Sequence, residues 1–316
     1  MPEKRIIAVV GATGAQGGGL ARAILDDPGA AFAVRALTRN PESDKAKALA
    51  KLGAEVVAAD VNDPASLRKA FEGAYGAYCV TFYWEHMSPE KETTHARNLA
   101  EAAKAADLKH VIWSTFEDTR RLVPLDDDRM PTLQGHYKVP HFDAKAEADR
   151  FFQEMDIPTT YLWTSFYWDN LINFGAGPKK TDKGDYAITF PMGDKKLSGI
   201  AAEDIGGVAY SIFKDPQTYI GQTIGIAGEH LTGDQMAAAL TKALGKKVRY
   251  QAVEPSVYRS FGFPGADDMG NMFQYKRDFQ KEYIGARDIK KTRELNPKLQ
   301  TFETWLSHNA DRIPLD

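Results

Sequence analysis

The sequence predicts an α/β protein: a Rossmann-type doubly wound parallel sheet followed by a smaller mixed α/β C-terminal domain. Three observations carry this expectation. Over the first 165 residues, short apolar runs alternate with longer amphipathic stretches. A glycine-rich turn follows the first run directly. After Trp163 the rhythm loosens and shorter, mixed elements take over. The expected limits are 1–165 for the sheet domain, with a return segment at 198–228, and 166–197 plus 229–316 for the smaller domain.

In chain order, the apolar runs are Arg5–Val10, Phe32–Thr38, Ala54–Ala58, Ala77–Thr81, His110–Ser114 and Thr159–Trp163. They are too short for helices, and several are nearly continuous in β-branched or aromatic residues, as in strands buried on both faces. Between them lie helical stretches such as 63–71, where Asp63 is placed to cap and Pro64 takes the first helical position. Alternation of this kind implies right-handed crossovers. The long segment 116–140 is charged and proline-containing, and a connection of that length suggests a lid or substrate-side loop. Its run Asp126-Asp127-Asp128 has no second ligand cluster, so a solvated turn is expected and no metal site. Farther on, Tyr186–Phe190 reads as an edge strand stopped by Pro191, Ala201–Phe213 as a helix and Thr223–Ala227 as a strand. Helix Gly233–Leu244, strand Lys247–Val253, helix Pro255–Phe261 and a last helix near Phe302–Ser307 follow.

The loop Gly11-Ala12-Thr13-Gly14-Ala15-Gln16-Gly17 has the context that a dinucleotide site needs, a strand before it and a helix after it. Glycines three apart turn the chain sharply and bring backbone amides to a pyrophosphate at a helix N-terminus. The alternative is a purely structural turn. At the end of the second strand an NAD site would carry a carboxylate for the ribose 2′-hydroxyl, but this chain reads Leu37-Thr38-Arg39-Asn40. Arg39 suits a 2′-phosphate, which selects NADP(H); the alternative is a surface arginine. Asp60 is placed to accept from the adenine amino group with Val61 beside the ring, or else to cap the next helix.

Catalysis of the short-chain dehydrogenase kind needs a tyrosine four residues before a lysine on one helix face. Here His141 stands four before Lys145, in His141-Phe142-Asp143-Ala144-Lys145. Ala144, Ala148, Phe151, Phe152 and Met155 form the buried stripe, leaving His141, Lys145 and Asp149 on a partly polar face. Lys145 retains the reach to bind a cofactor ribose. His141 is a candidate proton donor, with a polar helix-start residue as the plainer reading; Ser114 reads as structural. The aromatic segments Tyr83-Trp84 and Phe166-Tyr167-Trp168 follow strands at the ligand-binding edge and suit either a nicotinamide wall or ordinary packing.

Composition limits the alternatives. With 40 Lys and Arg against 43 Asp and Glu, the formal charge of −3 gives no footprint for direct nucleic-acid binding or an acidic membrane. The single Cys79 rules out an intrachain disulfide and reads as a buried hydrophobe. No apolar run has the length of a signal or membrane-spanning segment, so a cytoplasmic or nuclear protein is expected.

Taken together, Gly11–Gly17, Thr38–Pro41, Thr81–Glu85 and His141–Lys145 resemble the NmrA-like family of atypical short-chain dehydrogenases, most of all its NADPH-sensor type. Farther on, Gly262–Ala266 with Asn271–Phe273, and Leu295–Pro297 with Thr304–Leu306, extend the resemblance over nearly the whole chain. It implies NADP(H) contacts from Gly11 to Gln16, Arg39, Asp60 and Val61, Thr81, Phe82 and Tyr83, Lys145, and Tyr167, Trp168, Asp169 and Asn170. It also implies a redox-sensing regulator that changes oligomeric state, as in a homodimer, or changes protein partner, with little dehydrogenase activity. Other relatives reduce aromatic, carbonyl or quinone-like small molecules with the lysine and without the tyrosine. The chain departs from the sensor pattern at Phe82, where Asn is expected, and at Trp163, where Arg is expected.

Overall fold

A computed structural model describes residues 4–29 and 31–315. The first half builds β1 (Arg5–Val9), α1 (Ala15–Leu25), β2 (Phe32–Thr38), α2 (Asp44–Lys51), β3 (Glu55–Ala58), α3 (Pro64–Phe71) and β4 (Gly76–Cys79). Then come α4 (Pro89–Ala105), β5 (His110–Thr115), α5 (Pro140–Glu154) and β6 (Thr159–Trp163). The sheet runs in the order Thr223–Gly225, β6, β5, β4, β1, β2, β3. Every pairing among β1 to β6 is parallel, with registers such as Ile7↔Val34, Val9↔Tyr78 and Tyr78↔Ile112. The order reverses between β1 and β4, which puts the topological switch point, where such sheets bind ligands, beside the glycine loop.

Local chemistry starts α3 where the sequence predicts. Asp63 accepts from the amides of Ala65 and Ser66 with Pro64 in the first turn, and Ser43 and Ser88 cap α2 and α4 in the same way. On one face of the sheet Leu67, Phe71, Leu99, Trp113 and Phe152 form a buried cluster, with Trp113 stacked on Phe152 at 5.1 Å between centroids. Burying side chains of this size stabilises by roughly 1.5–3 kcal/mol each. Alternate residues such as Ile7, Val9 and Ile112 are equally buried, so the central strands are covered on both faces. The helix Ala202–Lys214 packs on α1 through two glycines. A Cβ at Gly19 would lie 2.5 Å from the Glu203 carbonyl oxygen, and one at Gly206 would lie 2.1 Å from the Gly19 backbone.

Two compact units emerge: residues 1–117, 144–164 and 202–224 in the first, and 118–143, 165–201 and 225–316 in the second. The second unit holds two three-stranded sheets. In one of them Tyr186–Phe190 lies between Lys179–Lys180, antiparallel, and Val248–Ala252, parallel. It is therefore a central strand and not the expected edge strand. Pro191 ends it without lying in the hydrogen-bonded ladder, which is why the proline misled. The helix Ala266–Asp278 has no clear apolar period because it buries Asp268, Asn271, Gln274 and Lys276 alongside Met272 and Phe273.

Segment 118–143 groups with the second unit and, before α5 begins at Pro140, forms a short turn at Thr119–Arg121 and a bridge between Leu133 and Tyr137. It is nevertheless tied down. Asp143 accepts from the Thr119 amide and hydroxyl on one oxygen and from the amides of Lys138 and Val139 on the other. Within the run of aspartates, Asp126 and Asp128 are exposed, while Asp127 is held down at about 2 by its bonds to Arg129. Cys79 is fully buried, and desolvation pushes its thiol far above the usual range. Among the described residues no helix is long and apolar enough to cross a membrane.

Candidate functional site

The glycine loop is built to face an anion. After β1 the Val10 amide donates to the Tyr78 carbonyl (3.0 Å), and Gly11 then turns the chain at φ +64°, a region that penalises any side chain. The Gly14 amide closes back on the Gly11 carbonyl at 2.8 Å, and α1 starts at the next residue. No side chain caps α1 and its first turn has no acidic residue, so its positive end is unscreened. A Cβ at Gly17 would come within 2.6 Å of the Gly11 carbonyl oxygen and 2.8 Å of that of Val10. The helix can start this close to the strand only with glycine there. The Gln16 side-chain oxygen accepts from Ser114 Oγ (2.9 Å) and from the Tyr78 hydroxyl, pinning the loop to β4 and β5. These features fit a dinucleotide pyrophosphate.

Beside the loop opens a cleft of about 140 Å³. Of the residues expected at a cofactor, Gly11, Arg39, Val61, Thr81 and Phe82 line it, together with Asn62, Glu85 and His95, which the sequence reading did not select. The others are placed differently. Ala12 is buried, with its amide on the Leu37 carbonyl at 3.2 Å, and Thr13 is half-buried. Asp60 is half-buried and turned onto Asn62, accepting from its amide (2.8 Å) and side-chain nitrogen (2.9 Å). The Asn62 amide, then Arg39, hold its carboxyl below the usual range against the opposing effect of burial. Tyr83 is only 3% exposed, packed edge-on against Trp84 and His86.

Tyr167, Trp168, Asp169 and Asn170 belong to the second unit. There the Trp168 ring is 1% exposed, packed with Phe302 and Trp305 over Gly199, where even a Cβ would collide with the indole. Its side chain is core packing.

At the start of α5 the two catalytic candidates share a face of the helix that is shielded from solvent. His141 and Lys145 are 4% and 6% exposed, a departure from the partly polar face expected, because each found a buried carboxylate. His141 Nδ1 lies 2.6 Å from Asp268 Oδ1, and its backbone amide donates to Oδ2 of the same group at 3.1 Å. Lys145 donates to the Thr81 carbonyl (3.1 Å), to Thr81 Oγ1 (2.6 Å) and to Glu92 Oε1 (2.5 Å). An ammonium has three donors, and all three are taken. Asp149 anchors the same helix to β5, accepting from Trp113 Nε1 and Thr115 Oγ1.

Glu92 is the buried hub of this region. Burial pushes its carboxyl up, but Lys145, His86 and Thr81 together outweigh that and hold it at about 2. The signal for it was present in the sequence. Glu92 shares a helix face with Ala96, Leu99 and Ala103, and a carboxylate on an apolar stripe requires a buried partner. His86, Glu92 and His95 also bring possible ligand atoms within 4.8 Å of one another. The Ser88 amide donates to His86 Nδ1 (3.0 Å), and His86 Nε2 lies 3.3 Å from Glu92 Oε2. His95 Nε2 sits 2.8 Å from Asn62 Oδ1. His86 Nε2 and Glu92 Oε2 are buried and face each other without the geometry of a hydrogen bond.

Comparison with known proteins agrees with this architecture. Residues 3–306 match the NmrA-like family. The NmrA-like family domain-containing oxidoreductase FrzB of Cladobotryum sp is 30% identical over 293 residues, covering 88% of this chain and 86% of that protein. Among solved structures, the negative transcriptional regulator NmrA in complex with NADP, and separately with NAD, superposes with a TM-score of 0.77. It is 24% identical and covers 96% of this chain and 94% of that one. The Citrobacter sp. triphenylmethane reductase complexed with NADP(H) gives 0.74 at 21% identity over 97% and 99% of the two chains. At these identities the two structures establish likeness of fold alone. With the family matched across nearly the full length, this chain belongs to the NmrA-like family.

Proposed function

We propose that the chain binds NADP(H) in the cleft beside the glycine loop and acts as a redox-sensing regulator with little dehydrogenase activity. The observation that carries the binding half is the uncapped start of α1 above a cradle that only glycine fits, with Arg39 lining the adjoining cleft. The pyrophosphate would lie on the amides of Gly11 to Gln16, the 2′-phosphate at Arg39, and the adenosine along Val61. Bound NADPH supplies a hydride donor. The protein's own groups supply little else: the position of the expected tyrosine holds His141, engaged by Asp268, and every donor of Lys145 is occupied. A ribose hydroxyl that reached Lys145 would have to replace one of its present partners.

A second reading is an NADPH-dependent reductase of an aromatic, carbonyl or quinone-like molecule. The family relatives named oxidoreductases favour it. An electron-poor acceptor needs little help from a protein acid, so the missing tyrosine does not exclude this reading.

The two are separated by offering candidate quinones and carbonyls to the protein with NADPH and following cofactor absorbance. Absence of turnover with retained binding is the outcome expected for the regulator. Saturable oxidation that disappears in Lys145→Ala establishes the reductase instead. For cofactor choice, Arg39→Asp should weaken NADP(H) by about tenfold to a hundredfold and NAD(H) far less, the size of a lost charge-assisted contact. Retained NADP(H) preference in that variant would remove Arg39 from the account.

A further inference from the structure

Arg39 does not face the cleft alone. Its Nη1 pairs with Glu85 Oε1 at 2.5 Å, and both residues line the cleft. The Glu85 hydrogen bond and charge are the main reasons the Arg39 guanidinium is pushed above its usual range, and Asp60 adds to them. The cleft lining therefore pairs the cation Arg39 with the carboxylate of Glu85.

The backbone explains why Glu85 stands there. The chain leaves β4 into the single turn Tyr83–Glu85, closed by the Glu85 amide on the Phe82 carbonyl (3.2 Å) and anchored by the buried Tyr83. The Glu85 side chain itself is half exposed, at 50%.

A 2′-phosphate carries about −1.5 to −2 charges, by analogy with other phosphate monoesters. At Arg39 it must either displace Glu85 from Nη1 or bind the other N–H groups of the guanidinium, and in both cases it lies beside that carboxylate. A 2′-hydroxyl brings no charge, and a carboxylate can accept from it. We propose that Glu85 sets cofactor specificity: it competes with the 2′-phosphate for Arg39 and so narrows the preference for NADP(H) over NAD(H). This rests on the cofactor reading given above.

The size follows from the exposure of the groups. Releasing an exposed ion pair of this kind changes an equilibrium by up to about fivefold. Removing a like charge about 4 Å from the phosphate in water gives roughly another fivefold per unit of charge. Glu85→Gln should therefore tighten NADP+ by about tenfold to a hundredfold.

The test is calorimetric titration of wild type, Glu85→Gln, Arg39→Ala and the double variant with NADP+ and with NAD+ at one fixed ionic strength. Glu85→Gln is expected to improve NADP+ binding by that factor and to change NAD+ by less than about twofold. In the Arg39→Ala background the gain should shrink by up to about fivefold, since the ion-pair part is gone and only the like-charge part remains. Nucleotide binding with an unchanged NADP+/NAD+ ratio in Glu85→Gln overturns this proposal alone, as does a gain that persists undiminished without Arg39. Wild-type protein that binds neither nucleotide overturns the cofactor reading, and this proposal with it.

Discussion

Replacing Glu92 by glutamine tests the buried hub directly. Glu92 is fully buried and Lys145 is 6% exposed, so the substitution keeps the shape but leaves the ammonium facing a neutral amide in a dry site. Two routes give the magnitude. Moving a carboxyl from its ordinary 4.5 to about 2 corresponds to roughly 3 kcal/mol of preference for the charged form in the folded state. Breaking a buried ion pair by removing one partner costs about 3–5 kcal/mol in general. We therefore expect Glu92→Gln to lower the unfolding free energy by about 3 kcal/mol at pH 7, read from guanidinium titrations followed by tryptophan fluorescence.

The pH dependence has a definite sign. The folded-state carboxyl is depressed, so its contribution is complete above the unfolded value of 4.5 and is lost as pH falls from there through about 2. Wild type should lose stability across that window more steeply than the variant. Adding Lys145→Met should recover much of the loss, because the stranded charge is then gone. A Glu92→Gln cost under about 1 kcal/mol, an acid limb parallel to that of wild type, or a double variant no better than the single would refute the reasoning.

Two further outcomes are expected. His110 is fully buried with Nε2 on Thr160 Oγ1 at 2.9 Å, and desolvation holds its imidazole down at about 4. Between pH 6.5 and 4 the unfolded chain therefore binds the extra proton, and the folded state loses up to roughly 3 kcal/mol as pH falls through that range. His110→Gln should show a smaller drop in melting temperature between pH 7 and 4.5 than wild type, and an equal drop would exclude His110 as the cause. In Asp143→Asn, the amide nitrogen would face N–H donors that a carboxylate oxygen now accepts, at Lys138 and Val139 or at Thr119. A loss of about 1.5–3 kcal/mol and faster tryptic cleavage at Arg120, Arg121 or Arg129 are expected, whereas unchanged cleavage would mean that Asp143 does not fasten segment 118–143.

What the sequence determined by itself was everything set by neighbours along the chain. The Asp63-Pro64 helix start, the buried strands and the glycine turn into α1 follow from backbone sterics, capping and burial within a few residues. The interior place of Tyr186–Phe190 was not legible, because Pro191 gives the same local signal after an edge strand and after a central one. The polar helix Ala266–Asp278 was hidden because it buries charge in place of an apolar stripe. The candidate site divides in the same way. Gly11 to Gly17 and Arg39 could be selected by spacing and position after a strand. What those residues meet was decided only in three dimensions: Glu85 on Arg39 across 46 residues, Thr81 on Lys145 across 64, and Asp268 on His141 across 127. Charge pairing is long-ranged in sequence and has no period, so the lysine and histidine could be picked out as candidates from spacing. Their present engagement with buried carboxylates follows from the tertiary structure alone.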